Sequence, residues 1–497
     1  MERPSKPGTI AIIGSGFGGL CMAIELKRAG IDSFTIFEKA DEVGGIWRDN
    51  TYPGCGCDVP SHLYSFSFEK YRSPTMRYPG QEEILDYLLG VTEKYDLRPH
   101  LKTGAEIVSA DYDHTTARWV IVTSQGEEHL ADVLISAVGQ LHRPKLPDIA
   151  GREDFEGRAF HTARWDHGHD LTGCDVAVIG TGCSAVQLLP HVARQARQVQ
   201  VYQRTPNWIV PKPSAKFGSV TSWAFGRFSV LQSVYRSLMY FLADFALTPV
   251  ITRGWSFLPA TWVARWHLRT QVPERGLRSR LTPSYPIGCK RIVIDNDYYP
   301  TLSRDNVQLV TEGITRITPT GIETDDGVHR KVDVIIYATG FRTTEFLVPI
   351  RVLGKQGMDL HKEWRKGAEA YLGMAVPSFP NFFLVHGPNT ILGHNSNIFM
   401  IECQIRYIMN CLRMLPGEIE VRPETMRDYR TWLDKAISKT TWPTGCQSWY
   451  KTEDGRVTNP WPASTMRYRR FTRRDPSDAF TVTIGEAKTE ESGTPAS

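Results

Sequence analysis

The sequence predicts an α/β protein made of two Rossmann-like dinucleotide-binding domains with an inserted helical lobe. Three observations predict this. A glycine fingerprint, Gly14-x-Gly16-x-x-Gly19, directly follows an apolar run and opens a helical pattern. The same arrangement returns as Gly180-x-Gly182-x-x-Ala185 after a second apolar run. Across residues 212–284 the pattern changes to crowded aromatics and leucines with isolated charges. A chain of 497 residues suits about three lobes at roughly 150 residues each.

In the first unit, Thr9-Ile10-Ala11-Ile12-Ile13 reads as a buried parallel strand, residues 20–29 as a helix, and Phe34-Thr35-Ile36-Phe37 as a second strand ending at Glu38. The glycine triplet carries weight because it stands in this strand–turn–helix–strand setting. Gly14 permits the tight turn, Gly16 lets the backbone approach a pyrophosphate, and Gly19 lets helix and strand pack closely. Phe17 lies within the same turn. Free N–H groups and the dipole at the helix N-terminus favour phosphate. Glu38 offers acceptors to a ribose diol.

Gly44-Gly45-Ile46-Trp47, Tyr52-Pro53-Gly54 and Asp58 follow. The plain reading is a turn-rich loop. The sharper one is that the paired glycines let the backbone lie against a flat ring system, with Trp47 packed on it. Residues 84–95 read as an amphipathic helix and 101–134 as a small antiparallel meander.

In the second unit, Asp175-Val176-Ala177-Val178-Ile179 is the strand, Gly180-Thr181-Gly182-Cys183-Ser184-Ala185 the turn, and Val199-Gln200-Val201-Tyr202 the next strand. Arg204 follows Gly180 at the same spacing at which Glu38 follows Gly14. An acid there suits a free ribose 2′-OH, whereas an arginine suits a 2′-phosphate. The first site is therefore expected to hold FAD and the second NADPH. The competing reading of Arg204 is a surface ion pair. Between the two units, residues 155–166 read as a linker with scattered aromatics.

The insertion contains Trp223, Phe225, Phe228, Tyr235, Tyr240, Phe241, Phe245, Trp255, Phe257, Trp262 and Trp266. It is either the wall of an apolar substrate cavity or a surface resting on a membrane, where Arg227, Arg236, Arg253 and Arg265 would suit anionic lipid. The plainest reading, that these residues form the lobe's own core, accounts for most of them. Further on, Val332-Asp333-Val334-Ile335-Ile336-Tyr337 leads into Ala338-Thr339-Gly340, echoing Ser136-Ala137-Val138-Gly139. Asn397 stands where a helix over residues 398–412 begins, and that N-terminus would face the pyrimidine carbonyl of a flavin.

Composition excludes other classes. A net charge of +4 is too small to argue for nucleic acid. Nine cysteines without paired spacing argue against disulfides and for a reducing, cytoplasmic setting. The stretch up to residue 8 lacks the apolar core of a signal peptide. No uncharged apolar run is long enough to predict a spanning helix. After Asp478 the chain is rich in Thr, Glu, Ser and Gly, as in a mobile tail.

Taken together, roughly residues 8–470 resemble the type I Baeyer–Villiger monooxygenases, within the class B flavin-dependent monooxygenase family. The resemblance is carried in order by the first fingerprint, residues 45–58, Phe155-x-Gly157-x-x-x-His161-x-x-x-Trp165-Asp166, the second fingerprint and Lys290-Arg291. Related heteroatom oxygenases have a similar connector but do not typically end it in Trp-Asp. The C-terminal Trp449-Tyr450 and Trp461-Pro462 depart from the best-known members.

The resemblance implies an FAD-binding domain (1–142 and 339–480) split around an NADP-binding domain (143–211 and 285–338), a helical insertion (212–284) and a flexible tail (481–497). It implies that one oxygen atom of O2 is inserted beside a ketone carbonyl, by way of a flavin peroxide, to give an ester or lactone. The aromatic insertion suggests a bulky hydrophobic ketone. Arg291 would stabilise the negative charge of the reaction and Asp58 would orient Arg291. Lys290, Arg204 and Thr205 would hold the 2′-phosphate. Gly45, Ile46, Trp47, Tyr64 and the Ile107 backbone would flank FAD, and His161 would act as a hinge and not as a base. The expected partners are a small-molecule hydrophobic ketone and O2, with no nucleic acid and with membrane contact the less favoured alternative, for a monomer or homodimer. Two alternatives are a nitrogen- or sulfur-oxygenating relative and a two-dinucleotide reductase. The reductase needs a cysteine pair, and Cys55-x-Cys57 has the wrong spacing.

Overall fold

The computed structural model describes residues 8–71, 76–213, 216–443 and 445–483. The N-terminal stretch through residue 7 and the expected tail from residue 484 lie outside the described residues. The first unit is β1 (Ile10–Ile13), α1 (Phe17–Arg28) and β2 (Phe34–Phe37). β1 is the middle strand of a five-stranded parallel sheet in the order Phe382–Leu384, Val133–Ser136, β1, β2, Leu101–Lys102. All four residues of β1 are buried. Ile10 and Ile12 join the core that α1 covers, whereas Ala11 and Ile13 join a second core on the opposite face. A strand with apolar side chains on both faces reads as a continuous apolar run, as a doubly covered parallel strand must. On that second face the strands Ile107–Asp113, Arg118–Thr123 and Glu128–Ala131 form an antiparallel meander narrower than the expected 101–134, because Leu101–Lys102 and Val133–Ser136 join the parallel sheet.

The second unit is β3 (Asp175–Ile179), α2 (Cys183–Gln195) and β4 (Gln198–Tyr202). Its parallel sheet runs Val307–Val310, β4, β3, Val334–Tyr337, Arg158–His161. The first sheet thus draws its strands from both sides of the second in sequence. The stretch read as a linker supplies the edge strand Arg158–His161 here, which corrects that reading. Arg158 and Ala159 are exposed, so the strand is held by backbone pairing and gives no apolar signal. Gly157 must be glycine at its start, since a Cβ there would lie 2.4 Å from the Asp333 carbonyl oxygen.

Three further expectations are corrected. Cys289 and Cys446 form a disulfide across 157 residues of sequence, so not all nine cysteines are free thiols. Residues 481–483, expected in the tail, belong to the strand Phe480–Thr483, which pairs with Glu418–Val421. Within the insertion, α3 (Ser229–Ile251) and α4 (Phe257–Gln271) leave most of the large aromatics facing outward and not in a core of their own. The segment Val230–Ile251 is long and apolar enough to cross a membrane, with a mean hydropathy of 1.2. Arg236 and Asp244 interrupt that segment, which is why a search for an uncharged run missed it.

The tightest backbone approach in the first fingerprint is at Gly19, where a Cβ would lie 1.8 Å from the Gly14 carbonyl oxygen. Neither backbone can yield without separating α1 from β1. Gly19→Ala is expected to lower stability by about 1–3 kcal/mol or more, read as a lower urea midpoint at unchanged slope; an unchanged midpoint would contradict the packing described.

Candidate active site

A cavity of about 590 Å³ opens at the carboxyl ends of the first sheet's strands, where ligands of parallel α/β sheets bind. Gly14, Gly16 and Phe17 line it from the first turn, and Gly45, Ile46 and Trp47 from the paired-glycine loop. Gly14 has φ +99° and Gly45 φ +55°. A Cβ on Gly45 would lie 3.2 Å from Gly16 Cα, so the two glycine turns meet closely, and at Gly45 the positive φ adds to the demand for glycine. Trp47 Nε1 donates to Tyr64 Oη at 3.1 Å, and the Tyr64 ring stands edge-on to Trp47 and to Phe17, with centroids 5.5 and 5.2 Å apart. Ile107 and Asn397 complete this part of the lining. Asn397 is the first residue of α5 (Asn397–Leu412), and its Oδ1 accepts from the Leu392 amide at 2.7 Å. Bare backbone, a flat aromatic wall and a helix N-terminus fit FAD. Gly19 lies behind the turn and serves packing only.

Glu38 also lines the cavity, but its carboxylate is already engaged. Oε2 accepts from Ser15 N at 3.0 Å and Ser15 Oγ at 2.7 Å. Oε1 accepts from Ala40 N at 3.1 Å and pairs with Arg48 Nη1 at 3.1 Å. A carboxylate has about four acceptor positions, so a ribose diol reaches Glu38 by exchange with one of these partners. The sequence showed the acid and did not show its partner Arg48.

Across the cavity stand Asp58 and Arg291, with Nη2 and Oδ2 3.6 Å apart. The Asp58 side chain is 9% exposed and that of Arg291 26%. Burial opposes the charge on Arg291, but the negative charge of Cys183 once ionised and of the Asp58 carboxylate outweighs this and holds the guanidinium above its ordinary value. Burial likewise pushes the Cys183 thiol up to about 12, with Asp58 adding to the effect.

Gln187 was not foreseen as a site residue. Its Nε2 donates to the Gly56 carbonyl at 3.0 Å and to Asp58 Oδ1 at 3.3 Å, and its Oε1 accepts from Tyr52 Oη at 2.8 Å. Cys183, Ser184 and Gln187 share one face of α2 by helical spacing, and all three line the cavity. That polar stripe was the available signal, but His191, Arg194 and Gln195 make polar positions ordinary on this helix.

The remaining second-unit residues fall outside the cavity. Gly180 has φ +117°, and a Cβ there would meet the Ala338 carbonyl oxygen at 2.4 Å. Ala185 is buried in the core beneath the turn. Thr181 Oγ1 donates to the Thr205 carbonyl at 3.2 Å, and Gly182 caps α2. Lys290 Nζ donates to Thr205 Oγ1 at 2.6 Å. Burial, and then the like charge of Arg204, lower the Lys290 pKa. Arg204 and Lys290 thus stand side by side at the end of β4, where a phosphate would relieve their repulsion. These residues fit NADPH and oppose the reading of Arg204 as an ion-paired surface residue.

His161 Nδ1 accepts from the Ala163 amide at 3.1 Å, and burial lowers its pKa to about 4. It is a weak base held in place, with its ring against Phe341. Cys55 and Cys57 remain separate thiols, pushed by burial to about 11 and about 12. They offer no disulfide for reductase chemistry.

Residues 11–241 match the family model described as pyridine nucleotide-disulphide oxidoreductase. A protein of Pseudomonas aeruginosa named Baeyer-Villiger monooxygenase is 39% identical, over 98% of this chain and 95% of its own length. Among solved structures, an oxidized steroid monooxygenase bound to NADP superposes with a TM-score of 0.86 at 29% identity, covering 96% of this chain and 99% of that one. A complex of OTEMO with FAD and NADP gives a TM-score of 0.86 at 26% identity, covering 96% and 100%.

Replacing one cation of the Arg204–Lys290 pair should weaken NADPH selectively. A hydrogen bond to a charged group is worth about 1.5–3 kcal/mol, so Arg204→Ala is expected to raise the KM for NADPH at least about tenfold. The KM for NADH should hardly move. Equal losses with both nucleotides would remove Arg204 from the 2′-phosphate site.

Proposed function

Because the chain belongs to the Baeyer–Villiger monooxygenases, we propose that Arg291 is its catalytic cation, that Asp58 positions it, and that the substrate is a bulky hydrophobic ketone. As a member of this family it is an FAD- and NADPH-dependent oxidoreductase that inserts one oxygen atom of O2 beside a ketone carbonyl to give an ester or lactone. Bound FAD, reduced by NADPH, supplies the electrons and the activation of dioxygen.

The observation that carries the proposal is the placement of Arg291. It faces the cavity between Asp58 of the first unit and Cys183 of the second. A neutral ketone carries no net charge, whereas its oxygen becomes negative as a new bond forms at the carbonyl carbon. A guanidinium fixed beside that oxygen stabilises the transition state more than the ground state, which is what lowers a barrier. Asp58 supplies the fixing, and Gln187 and Tyr52 in turn fix Asp58. Tyr450 is buried beside Arg291, and Trp449 packs on Tyr450 with ring centroids 4.5 Å apart. The departure from family pattern at these two residues therefore lies close behind Arg291 and outside the cavity lining. The Cys289–Cys446 disulfide ties their segment to the loop that carries Lys290 and Arg291.

None of the described residues from 212 to 283 lines the cavity, so the insertion does not form its wall. Support for a bulky ketone comes instead from the likeness to a steroid monooxygenase and from the apolar residues Val59, Phe341, Ile398 and Ile401 in the lining. A cytoplasmic location fits the dependence on NADPH; the disulfide is the feature that runs against it.

Removing an electrostatic donor of this kind costs about 10²–10³ in turnover. Arg291→Ala is expected to retain FAD, to be reduced by NADPH, and to lose ester formation by that factor. Stopped-flow reduction followed by mass-spectrometric product analysis checks each step. A panel of steroid-sized, cyclic and short ketones alongside thioethers and amines reads the substrate class. Ester formation at the unmutated rate would show that another group stabilises the charge, and preferential oxidation of thioethers or amines would overturn the ketone assignment.

A further inference from the structure

Helix α3 has its polarity inverted. Gln232, Arg236, Tyr240 and Asp244, each four residues apart, face the protein body. Gln232 donates to the Tyr71 carbonyl, Arg236 Nη1 to the His62 and Ser65 carbonyls, and Asp244 Oδ1 accepts from the Thr465 amide at 2.9 Å. Tyr240 packs on Phe399 at 4.6 Å. Arg236 is thus spent inside the protein, contrary to the expectation that it would face lipid. The opposite face carries Val230, Val234, Leu238, Phe241 and Phe245, exposed by 74, 59, 53, 63 and 55%. A surface helix in water shows the reverse arrangement.

The apolar face continues onto α4, where Leu258, Trp262 and Trp266 recur every four residues at 74, 66 and 49% exposure. Phe245 meets Trp255, in the connector between the two helices, at 5.2 Å, which carries the apolar surface from one to the other. A contiguous apolar surface of this extent marks a binding face.

Charge decides what binds. Residues 212–273 contain seven lysines and arginines and one acid, Asp244, which is buried. Arg227, Arg253, Arg265 and Arg269 are exposed among the apolar residues. A second copy docked through the same face by two-fold symmetry would set cations against cations. An anionic bilayer surface accepts both features, since Trp settles at headgroup level and each cation is attracted to the lipid charge. We infer that α3 and α4 dock this protein on the surface of an anionic lipid bilayer.

The helix lies along that surface and does not cross it. Its polar face is hydrogen-bonded into the protein along its length, and crossing would break every one of those contacts. The docked face is also joined to the cavity. His62 and Ser65, which hold Arg236, flank the cavity residue Tyr64, and Asn395 Nδ2 donates to the Tyr240 carbonyl two residues before Asn397. The docking stands independently of the substrate assigned above.

The test is flotation of the full-length holoenzyme with vesicles of phosphatidylcholine alone or mixed with phosphatidylserine. The protein is expected to float with the mixed vesicles and to be released by high salt. Arg265→Glu with Arg269→Glu should lower vesicle affinity at least about tenfold, and Phe241→Ser with Phe245→Ser should abolish binding. Both variants should keep bound FAD and activity on a water-soluble ketone, which shows that they fold. Three results would overturn the inference: no flotation with either vesicle; equal binding to both lipids, unmoved by charge reversal; or a dimer in solution that Phe241→Ser with Phe245→Ser dissolves.

Discussion

The site depends on a contact between the two nucleotide-binding units. Gln187 projects from the helix of the second unit and donates to Asp58 and to the Gly56 carbonyl in a loop of the first. Asp58 then stands 3.6 Å from Arg291, which returns from the second unit. Neither unit alone holds the guanidinium in the cavity. A charged pair with little solvent access is worth keeping only where its geometry is fixed and its remaining acceptors are satisfied. Gln187 satisfies one Asp58 oxygen and leaves the other for Arg291. Gly54 makes the close approach possible, because a Cβ there would lie 2.5 Å from the Gln187 carbonyl oxygen.

Much of the fold was legible because the signals were local. The glycine at residue 14 is dictated by a backbone conformation, and the apolar run of β1 by burial on both faces. The fingerprint glycines, Trp47 and Arg204 follow from such short-range rules. Asp58 and Arg291 are of another kind. No spacing joins residues so far apart, and only the family resemblance brought them together. Gln187 was hidden because a polar residue on an exposed-looking helix face is ordinary. The strand Arg158–His161 gave no signal because it is held by backbone pairing at a sheet edge.

The insertion shows a deeper limit. Periodicity reports that Gln232, Arg236, Tyr240 and Asp244 share a helix face. It does not report which face meets the protein, because an inverted helix and an ordinary one have the same period. Composition could not decide between a core, a cavity wall and a membrane surface either, since all three use the same side chains. The acids decide it: residues 212–273, with a single buried carboxylate and several exposed arginines, are not built for water on every side.

The central claim is that Asp58 acts through Arg291 and has no separate part in the reaction. A double-mutant cycle on ester formation measures this directly, since residues acting as one unit lose their effect together. The account predicts that Asp58→Ala costs activity in the unmutated background and nothing further once Arg291→Ala is present. Losses that simply add would contradict it, and would give Asp58 a role of its own.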